Sequence, residues 1–210
     1  MHELGADGTS MIDPQQASDV VRWRKAERER QIALRLALSA GERSAATAAI
    51  TADLDRLIPT EFSGIVSAYW PIRAEPDLRP WLKERSARGL QIALPVAVEL
   101  GRPLIFREWR PGAALTHGLW KIPYPADGAE VTPTIALAPL VAFDSEGYRL
   151  GNGGGFFDRT LAATRPRPLA IGLGYEGAAI RTIFPQPHDI PMDWIVTGSV
   201  PPRRFERRGG

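Results

Sequence analysis

Gly151, Gly153, Gly154 and Gly155 cluster around Asn152 and Leu150, with Arg149 and Arg159 at the flanks and Phe156, Phe157 and Asp158 closing the run. Residues without a Cβ can turn several backbone N–H groups toward one point, and such a nest binds anions. The arginines supply mobile positive charge, and Asp158 can hold a divalent cation on phosphate oxygens. Thr160-Leu161-Ala162-Ala163 then reads as the start of a helix whose positive end faces the loop. Together these parts describe a polyphosphate site. Phe156 follows Gly155 where a P-loop requires lysine, and the run comes late in the chain rather than at a first strand-to-helix turn, so neither common nucleotide fingerprint applies. The competing reading is a tight glycine hairpin, because Asp144-Ser145-Glu146-Gly147 just upstream is a turn signal.

Such a loop needs a scaffold, and the hydrophobic pattern predicts one. Asp19 to Leu38 reads as an amphipathic helix with Val20, Val21, Ala26, Ile32 and Leu36 on its apolar side and Arg22, Arg24, Lys25, Arg28 and Arg30 on its polar side. That basic face is either an ordinary solvated surface or a side presented to an anion. Ser39 with Glu42 forms a capping box for a second helix reaching Leu57. Gly64 to Pro71 and Leu90 to Pro95 read as buried strands with a crossover helix from Asp77 to Arg88 between them. Leu104 to Trp109 is an edge or hairpin strand, and a Pro/Gly-rich connection runs on to Thr132. Ile135 to Phe143, Leu169 to Tyr175 and Trp194 to Thr197 complete the strands, with a helix beginning near Leu161. Alternation of this kind predicts a three-layer αβα fold around a mainly parallel sheet.

Composition narrows the function classes. The 210 residues contain no cysteine and three histidines, His2, His117 and His188, which excludes thiol nucleophiles and disulfides and disfavours a histidine-rich metal site. The apolar runs are short and broken by proline, and the amino terminus lacks the layout of a signal peptide, so a cytoplasmic protein is expected. Although the pI is about 9.2, Arg203, Arg204, Glu206, Arg207 and Arg208 carry +3 of the net +2, leaving the remainder at −1. The expected organisation is a disordered stretch over 1–12, one α/β domain over 13–200 and a flexible basic tail over 201–210.

With the other marked segments beside it, the glycine run resembles the 5-formyltetrahydrofolate cyclo-ligase family, also called 5,10-methenyltetrahydrofolate synthetase. Arg149-Leu150-Gly151-x-Gly153-Gly154-Gly155-Phe156-Phe157-Asp158 is similar to the family's Arg-Leu-Gly-x-Gly-(Gly or Lys)-Gly-Tyr-Tyr-Asp. The basic amino-terminal helix, Tyr69-Trp70-Pro71 before Glu75-Pro76-Asp77, Trp120-x-Ile122-Pro123, and His188-Asp189-x-x-Met192-Asp193-x-Ile195-Val196-Thr197 extend the match over most of the chain. Phe156-Phe157 replaces a tyrosine pair, Arg24 stands where the family has lysine with Lys25 adjacent, and no acid lies between Ile122 and Pro123.

The resemblance implies a NagB/RpiA/CoA-transferase-like fold and ATP- and Mg2+-dependent ring closure of 5-formyltetrahydrofolate through a phosphorylated formyl oxygen. It implies that Arg149 is catalytic, and that Arg24, Lys25, Arg28, Arg149 and the run from Leu150 through Gly151, Asn152, Gly153, Gly154 and Gly155 to Phe156 and Phe157 bind ATP. Trp70, Glu75, Trp120, Gly154 and Phe157 would hold the folate, and Asp158 and Asp189 the metal. Read without the family, Glu75 is an exposed carboxylate leading a helix, Asp189 a turn residue, Asp193 a cap at a strand start, and each tryptophan a packing residue. A monomer acting on small molecules, with no membrane and no nucleic-acid partner, is expected. The alternatives are an ATP-binding paralogue acting on another substrate and a non-catalytic nucleotide- or RNA-binding protein using the tail.

Overall fold

The computed structural model describes residues 14–207. The stretch expected to be disordered, 1–12, and the last three residues of the tail lie outside the described residues. The described residues begin with α1 (Pro14–Ala37), five residues earlier than the pattern predicts. Proline suits the first helical turn because its missing N–H needs no partner there. The capping box then starts α2 (Ala40–Leu57): Ser39 Oγ accepts from the Glu42 N–H at 3.2 Å, and the Glu42 carboxylate accepts from the Ser39 N–H at 2.8 Å.

Next come β1 (Ile65–Ser67), α3 (Arg79–Ala87), β2 (Gln91–Val96) and β3 (Ile105–Trp109), then β4 (Leu115–His117), β5 (Pro123–Pro125), β6 (Ile135–Pro139), β7 (Ala142–Phe143) and β8 (Arg149–Leu150). The chain closes with α4 (Phe156–Ala163), β9 (Leu169–Leu173), β10 (Trp194–Val196) and β11 (Arg203–Arg204). The seven-stranded sheet has the order β11-β10-β9-β6-β1-β2-β3, with β10, β9, β6, β1 and β2 mutually parallel and β3 and β11 as antiparallel edges.

Alternation along the strands supplies two apolar faces. Ile92, Leu94, Ile135, Leu137, Ile171, Leu173 and Val196 pack against Ile50 and Leu54 of α2 and Trp81 and Leu82 of α3. Ala138, Ala170 and Ile195 turn the other way, toward Leu161 of α4. The expected three layers are therefore present, with small residues on the α4 side where the helix lies close.

Three boundaries differ from the pattern. The strand expected over Ile135 to Phe143 breaks after Pro139, and Ala142–Phe143 pairs instead with Arg149–Leu150 as a separate hairpin. Asp144 turns that hairpin by accepting the Glu146 and Tyr148 N–H groups at 3.0 and 3.1 Å. The hairpin therefore precedes the glycine run, which is free to be a loop. The expected loop after Trp109 contains the ribbon of β4 and β5. The basic tail, expected to be mobile from 201, is bound through Arg207: β11 pairs with β10, Phe205 packs in the core beside α4, and Arg207 donates to Asp193 at 2.7 Å. An open strand edge and a buried carboxylate both demand partners, and the tail supplies them.

The expected division of α1 holds only in part: Val20 and Ile32 are partly buried and Arg22, Lys25 and Arg30 are exposed, as the pattern has it. Val21, Leu34 and Leu36 are exposed, whereas Arg24, Gln31 and Arg35 are buried and Arg28 is half-buried. These four polar residues lie at i, i+4, i+7 and i+11, on one side of the helix. Bonding groups meet Arg24 at Ile183 O and Arg28 at Gly151 O, while Arg35 donates from Nη1 to Leu140 O at 3.4 Å and its Nε and Nη2 have no hydrogen-bond partner among the described residues.

Candidate active site

Parallel strands place ligands beyond their carboxyl ends, and the chain follows that rule. Tyr69 and Trp70 beyond β1, Pro95 and Ala97 around the end of β2, and Pro139 ending β6 form one wall of an apolar slot. The glycine loop forms the opposite wall. On the loop's other side a wider, polar cleft of about 590 Å³ is lined by Arg24, Arg28, Arg159, His188 and Asp189. Arg149, Gly151, Gly154 and Gly155 line both spaces. The loop is thus a partition with Arg149 at its seam.

Local sequence explains the partition. Leu150 is anchored in the core at 1% exposure, so the chain must leave β8 at Gly151. Gly155 adopts φ 62° as the residue before α4 and offers no side-chain cap, so the first N–H groups of the helix are open to the cleft. At Gly154 a Cβ would collide with the Trp120 and Phe156 rings. Only glycine lets those aromatics close on the loop.

In the polar cleft, Arg149 is almost fully buried, its Nη2 lies 3.3 Å from Asp158 Oδ2, and its guanidinium stacks 5.3 Å from the Phe157 ring. Its Nε is buried without a partner among the described residues. An arginine so placed retains a donor for an incoming oxyanion. Arg28 bonds the loop at Gly151 O, 2.9 Å away, and burial pushes its guanidinium below its usual range, with the Arg24 charge adding and Asp189 opposing. Lys25 is exposed and outside the cleft. One helical step turns a side chain by about 100°, so Arg24 and Arg28 share a face from which Lys25 is excluded.

Arg24 is held differently from a free phosphate ligand. It donates to Ile183 O at 2.9 Å and Phe184 O at 2.8 Å, and both its terminal nitrogens meet the Asp189 carboxylate. Asp189 also accepts the Gln186 N–H at 2.6 Å. Both its oxygens are thereby engaged by protein. Asp158 retains more capacity, accepting the Ile190 N–H at 3.2 Å on one oxygen and facing Arg149 on the other. Among the described residues no group of three or more His, Asp or Glu converges into an ion site.

In the slot, Glu75 is buried at 4% exposure rather than leading a helix in solvent. It accepts the Ile72 N–H at 2.8 Å and the Asn152 amide N–H at 3.2 Å, and Arg35 Nη2 lies 3.7 Å away. Burial holds the Arg35 guanidinium below its usual range, an effect that the Glu75 charge opposes. Trp70 packs edge-on to Trp109 at 6.4 Å, and Trp120 edge-on to Phe156 at 5.4 Å. Trp120 is nonetheless half exposed and sits at φ 56° on the ribbon between β4 and β5.

The structure therefore brings together in the polar cleft Arg24, Arg28, Arg149, Leu150, Gly151, Gly153, Gly154, Gly155, Asp158 and Asp189. Asn152, Phe156 and Phe157 line the slot with Trp70, Glu75 and Trp120; the resemblance assigns all three to the nucleotide and Phe157 to the folate as well. Asp193 lies outside both spaces and accepts the Ala170 N–H at 2.7 Å, a structural cap. Arg35 is the residue that pattern reasoning missed. Its place in the i, i+4, i+7, i+11 series with Arg24, Arg28 and Gln31 was the available signal.

The fold and the sequence recur in known proteins. A solved structure of 5,10-methenyltetrahydrofolate synthetase from Aquifex aeolicus superposes with a TM-score of 0.75 and 30% identity, covering 89% of this chain and 95% of that one. A synthetase from Mycoplasma pneumoniae shares the fold at a TM-score of 0.69 and 22% identity, covering 84% of this chain and 99% of that one. A 5-formyltetrahydrofolate cyclo-ligase of Mycolicibacterium smegmatis is 33% identical over 63% of this chain and 72% of its own length. That of Escherichia coli is 30% identical over 67% of this chain and 81% of its own. The model of the 5-formyltetrahydrofolate cyclo-ligase family matches residues 20–198, and the chain belongs to that family.

Proposed function

We propose that this protein closes 5-formyltetrahydrofolate to 5,10-methenyltetrahydrofolate with conversion of ATP to ADP and phosphate. The observation that carries this reading is the position of Arg149, shared by a polar cleft suited to a polyphosphate and an aromatic slot suited to a pterin. A formamide oxygen is a poor leaving group, and phosphorylation corrects that. The formyl oxygen bonds to the γ-phosphorus as the bond to ADP breaks. The nitrogen at position 10 then attacks the formyl carbon, loses its proton, and phosphate departs with the former formyl oxygen.

Phosphoryl transfer of this kind requires positioning and charge neutralisation more than covalent help. Arg149 neutralises the transferring group, the loop and the start of α4 orient the phosphates by N–H groups, and Arg28 holds the loop at Gly151. Mg2+ would supply charge neutralisation on the phosphate oxygens. Asp158 suits it, since this ion commonly binds one or two carboxylates plus phosphates and water. Asp158 carries one protein donor on each oxygen, whereas Asp189 carries three donors in all, two of them from Arg24, and serves to fix that arginine. The RNA-binding alternative loses its main support, because Arg203 pairs with Glu176 and Arg207 with Asp193. Appearance of the methenyl chromophore from 5-formyltetrahydrofolate, dependent on both ATP and Mg2+, is the expected result. No product at saturating ATP and Mg2+ removes the proposal.

A further inference from the structure

We propose that Asn152 is a substrate-reading residue of the folate slot, and that it forms with Glu75 a pair of adjacent acceptors for a ligand edge bearing two N–H donors. The inference rests on the proposed function for the identity of the ligand. Within the glycine run Asn152 alone carries a polar side chain, yet it lines the slot and is absent from the polar cleft that Gly151, Gly153, Gly154 and Gly155 line. The loop thus offers backbone to both spaces and this side chain to the slot alone.

The direction of the amide follows from chemistry. A carboxylate can only accept, so the nitrogen of Asn152 must face Glu75 Oε1, which it meets at 3.2 Å. The amide oxygen is thereby turned away from Glu75. It is buried and has no hydrogen-bond partner among the described residues. Buried acceptors in native proteins are rarely left so, and in a slot the donor is a ligand N–H or a water that the ligand displaces.

Glu75 is held as a template for that arrangement. Ile72 N–H bonds one carboxylate oxygen at 2.8 Å, while Asn152 and Arg35 meet the other. A carboxylate offers about four acceptor sites, of which the two hydrogen bonds take two, Arg35 Nη2 standing beyond bonding distance at 3.7 Å, so capacity for the ligand remains. A ligand edge with two neighbouring N–H donors would place one on Glu75 and one on Asn152 Oδ1. The 2-amino group and ring N–H of a pterin form such an edge.

The test compares wild type, Asn152→Ala and Asn152→Asp by calorimetric binding of 5-formyltetrahydrofolate and of ATP, with thermal melts of each. Asn152→Ala is expected to weaken folate binding about tenfold, the scale of one hydrogen bond, and to leave ATP affinity within about twofold by the same scale. Asn152→Asp keeps the acceptor but sets a second carboxylate against Glu75, so folate binding falls further than in the alanine variant. A pterin analogue lacking the 2-amino group should bind wild type weakly and be insensitive to Asn152→Ala. Loss of ATP affinity instead, or unchanged folate affinity in a folded Asn152→Ala protein, overturns the inference. Absence of folate binding by wild type removes the proposed function itself, and the inference with it.

Discussion

Replacing Arg24 with methionine separates a clasp from a phosphate ligand. The guanidinium and the Asp189 carboxylate are 11% and 8% exposed, and Arg24 also satisfies the carbonyls of Ile183 and Phe184. Methionine keeps much of the aliphatic stem but leaves a buried carboxylate and two carbonyls without their donor. Removing one partner of a buried pair costs about 3–5 kcal/mol. For a domain of this size each kcal/mol moves Tm by about 2–4 °C, so a fall of roughly 6–20 °C is expected. Urea melts and thermal scans measure it directly. Arg24→Met combined with Asp189→Leu should recover most of the loss, because no lone charge then remains buried. A single variant that loses less than about 1 kcal/mol, well below that range, while its ATP KM rises, would refute the clasp and return Arg24 to the phosphates.

Arg149→Ala should lower kcat by about 10²–10³ and should lower Tm as well, because it leaves Asp158, 13% exposed, without its cationic partner, so turnover is read well below the melt; undiminished turnover in the methenyl assay contradicts its role. Tyr69 donates to Pro76 O at 2.9 Å, and burial, reinforced by the Glu75 charge, raises its hydroxyl well above the usual tyrosine range. The unfolded phenol ionises near pH 10, so the stability it contributes is complete below that pH and declines as pH rises toward the folded value. Tyr69→Phe should cost about 1 kcal/mol at neutral pH and flatten the alkaline decline in urea melts; equal slopes above pH 10 contradict the assignment. Deletion of 203–210 removes the Phe205 packing and the Arg207 bonds to Asp193. A stability loss of about 2–4 kcal/mol is expected, and a truncated protein melting with wild type shows that the tail contributes nothing.

Much of the scaffold was legible because its causes are local. The Ser39–Glu42 box, the turn at Asp144 and the β-branched and leucine-rich strands act within a few residues, and pattern reasoning places them closely. The helix after the glycine run began at Phe156 rather than near Thr160, because Gly155 allows the left-handed turn that starts it. The burial of Arg24 and Arg35 on α1 was not legible from hydrophobicity, since carbonyls and carboxylates distant in sequence receive them.

The sequence by itself determined that a glycine loop flanked by arginine would end a strand and open a helix, because glycine's freedom of φ and the strand and helix periods are properties of the chain alone. Only the tertiary structure decided which side of that loop each neighbour serves. Arg24 finds Asp189 across 165 positions, Arg28 finds Gly151 across 123, and Asn152 finds Glu75 across 77. Such partners are chosen by which groups the packed layers leave buried and unbonded. That demand exists only once water has been excluded from between them.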